Sequence, residues 1–432
     1  MEAGAKSSPI ANAVAGLLCV MLVLFPKGGV RVGNVPVTWG YVLVFLTFLL
    51  FLPYRMLAVK SHFVRRQAAA LFCLVPMALV FFYSAWAFGL VDVGGFISTG
   101  TSLIFLPLFF LWFLPPMLPL VDGEKLIRCM CFCILAAALF GILLFFWRPI
   151  TGSWIQIPYL TVNGSDVGDF AYTKSINRGF FLKLISTYNN GNIYGAATFL
   201  LLRLYDLFTP SRWQRWVLRV ALFLTLSRTV WAGLIFDLLL SAAGSVLEQR
   251  ASFPVVKLKK LAGLTVLLTI IVPLGLFLWS LIGFQQSHGF LLDPTLGGRT
   301  AQFTQLGSSS FFPYFPSTFL FTEITYLSAI NAFGVIGFFT ISLILLSPLL
   351  ILLLDRRALH DPVRKAALKG LLTYALISTS DGALNFIPVM AFYWFAYMIF
   401  LFGMPGKLVI VPDRQNQTPE LALNSSWLQT SS

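Results

Sequence analysis

Charged residues are scarce in this chain. Lys, Arg, Asp and Glu make up 11% of the 432 residues, whereas hydrophobic residues make up 58%. Because soluble proteins carry about 25% charged residues, this composition excludes a soluble globular protein. Apolar runs of about 18 residues or more, each long enough to cross a bilayer as a helix, recur along the chain. The sequence therefore predicts an all-α polytopic membrane protein.

Acidic residues are particularly few, at 16 against 30 Lys and Arg, which gives a formal net charge of +14. In a soluble chain this excess would suggest a nucleic-acid partner. Here most basic residues cluster in alternate loops between the apolar runs, and the positive-inside rule assigns those loops to the cytoplasm. The charge is therefore a signal of topology, and no nucleic-acid partner is predicted.

Potential metal ligands are also few, with five cysteines and three histidines. Cys129, Cys131 and Cys133 form a C-x-C-x-C run, but no His or acidic residue accompanies them and they lie inside an apolar segment. Helix packing explains such cysteines better than metal ligation does. We expect no metal site, no cofactor and no disulfide.

The alternation of apolar runs and basic loops predicts about 12 transmembrane segments with both termini in the cytoplasm. The first run, Ile10 to Phe25, lacks a small-residue cleavage pattern and is predicted to be a retained span. Residues 1–404 form a single integral membrane domain with two large outer loops, 148–187 and 284–325. Residues 405–432 are polar and are predicted to be a disordered cytoplasmic tail.

Residues 217–247 are the most informative for geometry. They lie between two basic stretches that both face the cytoplasm, so the chain must enter the membrane and return within 31 residues. Two full spans need about 40 residues, so we expect a hairpin of two short helices that is broken at TLSRTVW, with Arg228 at its tip. Irregular backbone at this depth is tolerated only in contact with protein or a wet cavity. Arg228 is predicted to face such a cavity, and Asp237 to form a structural salt bridge.

Three arginines are predicted to lie on the outer side: Arg178, Arg228 and Arg299. A guanidinium group fits phosphate oxygens through paired hydrogen bonds. These residues are therefore candidates for binding a pyrophosphate group. The aromatic residues of loop 148–187 fit either an interfacial belt or stacking on sugars.

A glycosyl transfer from a lipid pyrophosphate also needs a base for the acceptor hydroxyl. The outer candidates are Glu323, His288, Asp293 and Asp381, of which Glu323 is favoured and His288 is the alternative. Tyr188, Asn189 and Asn190 open a predicted span with the polar sequence TYNNGNIYG. Together with Asp381 they are predicted to bind the glycan.

Three short blocks resemble the signature blocks of the O-antigen polymerase and ligase superfamily: SRTVWAGL at 227–234, GGR at 297–299, and E-I-T-Y-L-(x)6-G-V-I-G from Glu323 to Gly337. This resemblance implies about twelve helices, metal-independent transfer of undecaprenyl-pyrophosphate-linked glycans at the periplasmic face of the bacterial inner membrane, and contact of Arg228 and Arg299 with the donor pyrophosphate. It also implies a flippase and chain-length or export proteins as partners, besides membrane lipids.

In the ligase branch of this superfamily, the third block opens with a His-Asn pair that supplies the base. Glu323 and Ile324 occupy those positions here. The departure favours a Wzy-type polymerase, and the overall length and layout are similar to polymerases of xanthan-type exopolysaccharide clusters. Two alternatives stay open: a ligase that transfers glycan to lipid A core, and a lipid-linked glycan flippase or transporter. A transporter would be expected to show an internal repeat, and none is evident in the sequence.

Overall fold

The structure is a computed structural model. It describes residues 7–32, 35–57, 64–164, 167, 177–178, 181–248, 310–313, 319, 321 and 323–404. His288, Asp293 and Arg299, most of loop 284–325, the apolar run 261–283 and the tail 405–432 lie outside the described residues.

The described chain is mostly helical. Its main helices are α1 (Pro9–Leu24), α2 (Trp39–Leu57), α3 (Arg65–Phe88), α4 (Val93–Phe113), α5 (Gly123–Thr151), α6 (Gly191–Phe208), α7 (Arg212–Leu224), α8 (Arg228–Glu248), α9 (Thr325–Phe333), α10 (Val335–Leu354), α11 (Pro362–Ile377) and α12 (Ile387–Phe402). Short 3₁₀ turns occupy Pro115–Leu120, Ser186–Tyr188 and Arg356–Leu359.

Five of the described helices are long and apolar enough to cross a membrane: α2, α3, α4, α5 and α10. Helices α1 and α12 are apolar but shorter. An all-α membrane protein is therefore the class that the structure supports, as the composition predicts.

Two elements differ from the predicted helical pattern. Short antiparallel ribbons pair β1 (Gly29–Val32) with β2 (Val35–Thr38) and β3 (Asn177–Arg178) with β4 (Phe181–Leu182). The apolar run 326–353, which is long enough to be read as one span, is divided at Gly334, whose φ is +75°. The amides of Val335 and Ile336 donate hydrogen bonds to the carbonyls of Ser310 and Phe311, at 2.9 and 3.1 Å. These bonds satisfy two of the free donors at the start of α10, so a new helix can begin there.

The core of the bundle lies where α11 packs between α6, α8 and α12. Small residues allow this close packing. A Cβ on Gly370 of α11 would lie 2.4 Å from the Leu200 carbonyl oxygen of α6, and one on Gly195 of α6 would lie 2.3 Å from the Val230 side chain of α8. In a membrane, where lipid is as apolar as protein, such small-residue contacts are a main source of helix association.

Ion pairs hold one end of the bundle. Arg203 of α6 donates to both carboxylate oxygens of Asp237 on α8, with Nε to Oδ1 at 2.6 Å, and the structural salt bridge predicted for Asp237 is thereby confirmed. Asp206 accepts from Arg219 of α7 at 2.6 Å. These pairs tie the three helices together at the end of α6 that is remote from Asn190.

A second charged group lies after α10. Asp355 accepts from Arg66 of α3 at 2.6 Å and from Arg364 of α11 at 2.7 Å. Arg364 also donates through Nε to the Phe400 carbonyl at 2.7 Å. One carboxylate therefore joins α3 to α11 at the point where α10 ends.

The β1–β2 ribbon packs on the loop that follows α5. Trp39 Nε1 donates to the Tyr159 carbonyl at 2.7 Å, and Gly29 forms a parallel bridge with Asn163. Asn189 Nδ2 donates to the Thr161 carbonyl at 3.0 Å, which joins this loop to the start of α6. The loop and the ribbon thus lie at the same end of α6 as the predicted glycan-binding residues.

Candidate functional site

The helical hairpin breaks at Thr225–Ser227, between α7 and α8. Leu226 has a φ of +46°, a conformation that a bulky residue adopts only where the surroundings enforce it. The Leu224 carbonyl accepts a hydrogen bond from the amide of Leu184 at 3.0 Å, which fixes the tip against the segment that follows β4. Arg228 is the first residue of α8 and is half-buried. The structure has the predicted helix break at this point and begins α8 at Arg228, although α8 is longer, at 21 residues, than the short helix expected.

The start of α6 meets this tip. Asn190 is the N-cap, and its side chain accepts the amide of Asn192 at 2.9 Å. A Cβ on Gly191 would lie 2.6 Å from the Leu184 carbonyl oxygen and 3.3 Å from Thr225 Cβ. Only a glycine therefore lets the first turn of α6 approach the tip so closely.

A polar turn follows α11 and faces both helix starts. We call Ser378–Gly382 the Asp381 turn. Asn192 Nδ2 donates to Asp381 Oδ2 at 2.7 Å, and the hydroxyls of Thr229 and Ser380 lie 2.8 Å apart. Asp381 is 5% exposed. The turn therefore contacts the first turn of α6 through Asn192 and the first turn of α8 through Thr229.

The segment that contains Glu323 pairs with the other side of this turn. The Glu323 carbonyl accepts the amide of Gly382 at 3.1 Å, and the amide of Thr325 donates to the Ser378 carbonyl at 3.2 Å. The Glu323 side chain is half-buried. Two backbone hydrogen bonds thus hold Glu323 at the start of α9 beside the Asp381 turn.

Four of the predicted site residues are consequently gathered around one turn: Asn190, Arg228, Glu323 and Asp381. We call these four, together with Asn192, Thr229 and Ser380, the Asp381 cluster. They come from four separate parts of the sequence. Each belongs to the turn, bonds to it, or lies within two residues of a residue that bonds to it.

Two other predicted residues, Tyr188 and Asn189, contact other parts of the described chain. Tyr188 is 3% exposed and its hydroxyl donates to the Val23 carbonyl at 3.0 Å, which favours a packing role rather than glycan contact. The Asn189 side chain donates a hydrogen bond to the Thr161 carbonyl in the loop after α5. Arg178 lies in β3, of which the backbone alone is described. His288 and Arg299 lie outside the described residues.

Sequence reasoning missed Asn192, Thr229 and Ser380. A signal existed, because NNGN at 189–192 and STSDG at 378–382 are polar runs at the ends of apolar segments. Their pairing across the bundle could not be read from either run alone. Within the described ranges, no group of three or more His, Cys, Asp or Glu side chains could hold a metal ion.

The cluster combines two kinds of chemistry. Helices α6 and α8 both begin there, and their free amides and helix dipoles favour a negative charge. Arg228 adds a permanent positive charge of the kind that binds phosphate. Asp381 and Glu323 supply carboxylates, which accept hydrogen bonds from hydroxyl groups or take a proton from them. The arrangement suits a ligand that carries both an anionic group and hydroxyls.

No protein-family model matches this chain, and neither a curated protein nor a solved structure is detectably similar to it. Function must therefore be inferred from the residues of the cluster themselves.

Proposed function

We propose that this chain is a glycosyltransferase that polymerises undecaprenyl-pyrophosphate-linked oligosaccharide repeat units into an exopolysaccharide at the periplasmic face of the bacterial inner membrane. The observation that supports it is the gathering of Arg228, two helix N-termini, Asp381 and Glu323 around one turn. The three sequence blocks that resemble O-antigen polymerases and ligases supply the class of substrate.

In the proposed reaction, a hydroxyl of the acceptor unit attacks C1 of the donor's reducing-end sugar. Glu323 takes the proton of that hydroxyl while the new C1–O bond forms. The bond between C1 and the pyrophosphate oxygen breaks, and its electron pair leaves with the pyrophosphate. Arg228 and the N-terminus of α8 stabilise the resulting charge, with Arg299 and Arg178 as further candidates. Attack opposite the leaving group inverts the configuration at C1.

The first test uses the purified protein in detergent micelles, with lipid-linked repeat units extracted from producing cells. Wild-type protein should lengthen the oligosaccharide, and the products are read as a ladder on a gel. A flippase or transporter forms no glycosidic bond and would give no lengthening. Lengthening in micelles, which provide no second compartment, therefore reports the enzyme alone. A ligase would transfer the glycan only when lipid A core is added. Absence of lengthening under these conditions would refute the polymerase.

Arginine variants test the role of the cluster in that assay. Arg228→Ala should reduce product at least a hundredfold, since removing one group that stabilises transition-state charge costs about 10²–10³-fold. Arg299→Ala is expected to reduce product to a similar extent. Arg215→Ala is the matched control, because Arg215 is a half-buried arginine on α7, as Arg228 is on α8, and donates to the Pro210 carbonyl away from the cluster. A wild-type yield of product from Arg228→Ala would refute the role of Arg228 in stabilising the leaving pyrophosphate.

The base is tested by two further variants. Glu323→Gln keeps the size of the side chain but cannot take a proton, so the rate should fall by about 10²–10⁴-fold. His288→Ala should retain activity. The opposite pair of results would transfer the role of base to His288.

A further inference from the structure

One buried acceptor atom of the Asp381 cluster is not satisfied. Asn192 is 8% exposed, and its Oδ1 is buried with no hydrogen-bond partner among the described residues. Its Nδ2 donates to Asp381 Oδ2 at 2.7 Å. The amide nitrogen therefore faces a carboxyl oxygen of Asp381, and the unpaired atom is the carbonyl oxygen.

An unpaired buried carbonyl destabilises the folded protein, and native proteins leave few such groups without a reason. The chemistry of the missing partner is restricted, because an amide oxygen accepts and never donates. A pyrophosphate oxygen, which is also an acceptor, cannot satisfy it. A hydroxyl group can.

We infer that Asn192 is a recognition residue for the glycan, and that its Oδ1 accepts a hydrogen bond from a hydroxyl of the first sugar on the lipid pyrophosphate while its Nδ2 holds Asp381. This inference rests on the proposed function, which assigns the neighbouring Arg228 to the pyrophosphate. Asn192 lies one residue beyond Gly191, which packs on the tip that carries Arg228. A sugar and its pyrophosphate are adjacent in the substrate, as Asn192 and the start of α8 are in the protein.

The role is tested by binding rather than by turnover. The purified protein in detergent is titrated with undecaprenyl pyrophosphate, and with the same lipid bearing glucose, galactose or N-acetylglucosamine, while intrinsic tryptophan fluorescence is followed. Wild-type protein should bind at least one sugar-bearing lipid about fivefold more tightly than the bare pyrophosphate lipid, since one hydrogen bond contributes about 1 kcal/mol.

Asn192→Leu and Asn192→Ser should lose this preference and bind bare and sugar-bearing lipids with equal affinity. Asn192→Asp is the conservative variant, because it retains both the contact with Asp381 and an acceptor for the ligand. Two adjacent carboxylates share one proton, so the introduced carboxyl group would still bond Asp381 and would still present an acceptor to the ligand. This variant should keep the preference for the sugar. Thr209→Val is the control, because it removes another buried hydroxyl at the opposite end of α6 and should leave the preference for the sugar-bearing lipid unchanged.

The outcomes distinguish the two proposals. A preference that survives in both Asn192→Leu and Asn192→Ser would refute recognition by Asn192 and leave the polymerase standing. A wild-type protein that binds bare and sugar-bearing lipids equally would also refute the inference alone. Failure of wild-type protein to bind any of the lipids would refute both. If Asn192→Leu does not fold, which size-exclusion chromatography will show, Asn192→Ser decides.

Discussion

Loss of the Asp237 carboxylate is expected to be among the more destabilising changes in this protein. Asp237 has a side chain that is 6% exposed, and Arg203, which is 17% exposed, donates to both of its oxygens. Asp237→Asn preserves the shape of the residue but removes its charge. The variant therefore leaves the guanidinium buried without its main counter-ion.

The magnitude follows from the partners that remain. Breaking one side of a buried ion pair costs about 3–5 kcal/mol. Asp206 still lies 3.5 Å from Arg203, although it is bonded mainly to Arg219, so part of the charge stays compensated. We expect a loss of about 3 kcal/mol in the free energy of unfolding, at the lower end of that range. Replacing both residues, as Arg203→Met with Asp237→Leu, removes both charges and should cost less than Asp237→Asn alone.

Reversible unfolding in mixed micelles, followed by far-ultraviolet circular dichroism, measures these differences. Glu124→Gln is the control, because Glu124 and Arg128 form an i,i+4 pair whose side chains are 60% and 71% exposed. That change should cost no more than about 0.5 kcal/mol. The reasoning would be refuted if Asp237→Asn matched the control, or if the double variant were less stable than Asp237→Asn.

Two further predictions concern packing and pH. Gly370→Ala should destabilise the protein by about 1–3 kcal/mol in the same unfolding assay, because the new methyl group would lie 2.4 Å from the Leu200 carbonyl oxygen. Gly16→Ala is the control and should not destabilise the protein, because no atom lies within 4 Å of its added Cβ. Asp355 accepts hydrogen bonds from Arg364 and also from Arg66, and these hold its pKa below the usual value. A lowered native pKa stabilises the fold above the unfolded pKa of about 3.9, and this contribution is lost as the pH falls through the native pKa. Thermal unfolding between pH 6 and pH 3 should therefore depend less on pH in Asp355→Asn than in wild type.

Local features of the sequence predict the helices and the break well. Apolar runs delimit α2, α5 and α12 because a helix is the simplest way to satisfy backbone hydrogen bonds in lipid. The break at Thr225–Ser227 follows from counting residues between two basic stretches, and the structure has it there. Asp237 could be predicted to form a pair because an unpaired carboxylate at that depth is costly.

Contacts between distant segments could not be predicted in the same way. Nothing in the pattern around Asp237 identifies Arg203 as its partner, 34 residues away. The division of α9 from α10 at Gly334 depends on carbonyls at Ser310 and Phe311, which belong to a different segment. The pairing of Glu323 with Gly382 depends on how α9 and α11 pack. Helix rotation and register decide these contacts, and hydrophobicity alone does not encode them.

The charge of the Asp381 cluster bears on how tightly the proposed site can hold its substrate. Arg228 and the N-termini of α6 and α8 favour an anion, whereas Asp381 and Glu323 oppose one. These contributions offset each other, so Arg228 by itself would give a pyrophosphate only modest net attraction. A second arginine would shift the balance toward binding, which is the role expected of Arg299. The proposed polymerase would have to release undecaprenyl pyrophosphate after each transfer, and a modest net attraction would favour that release.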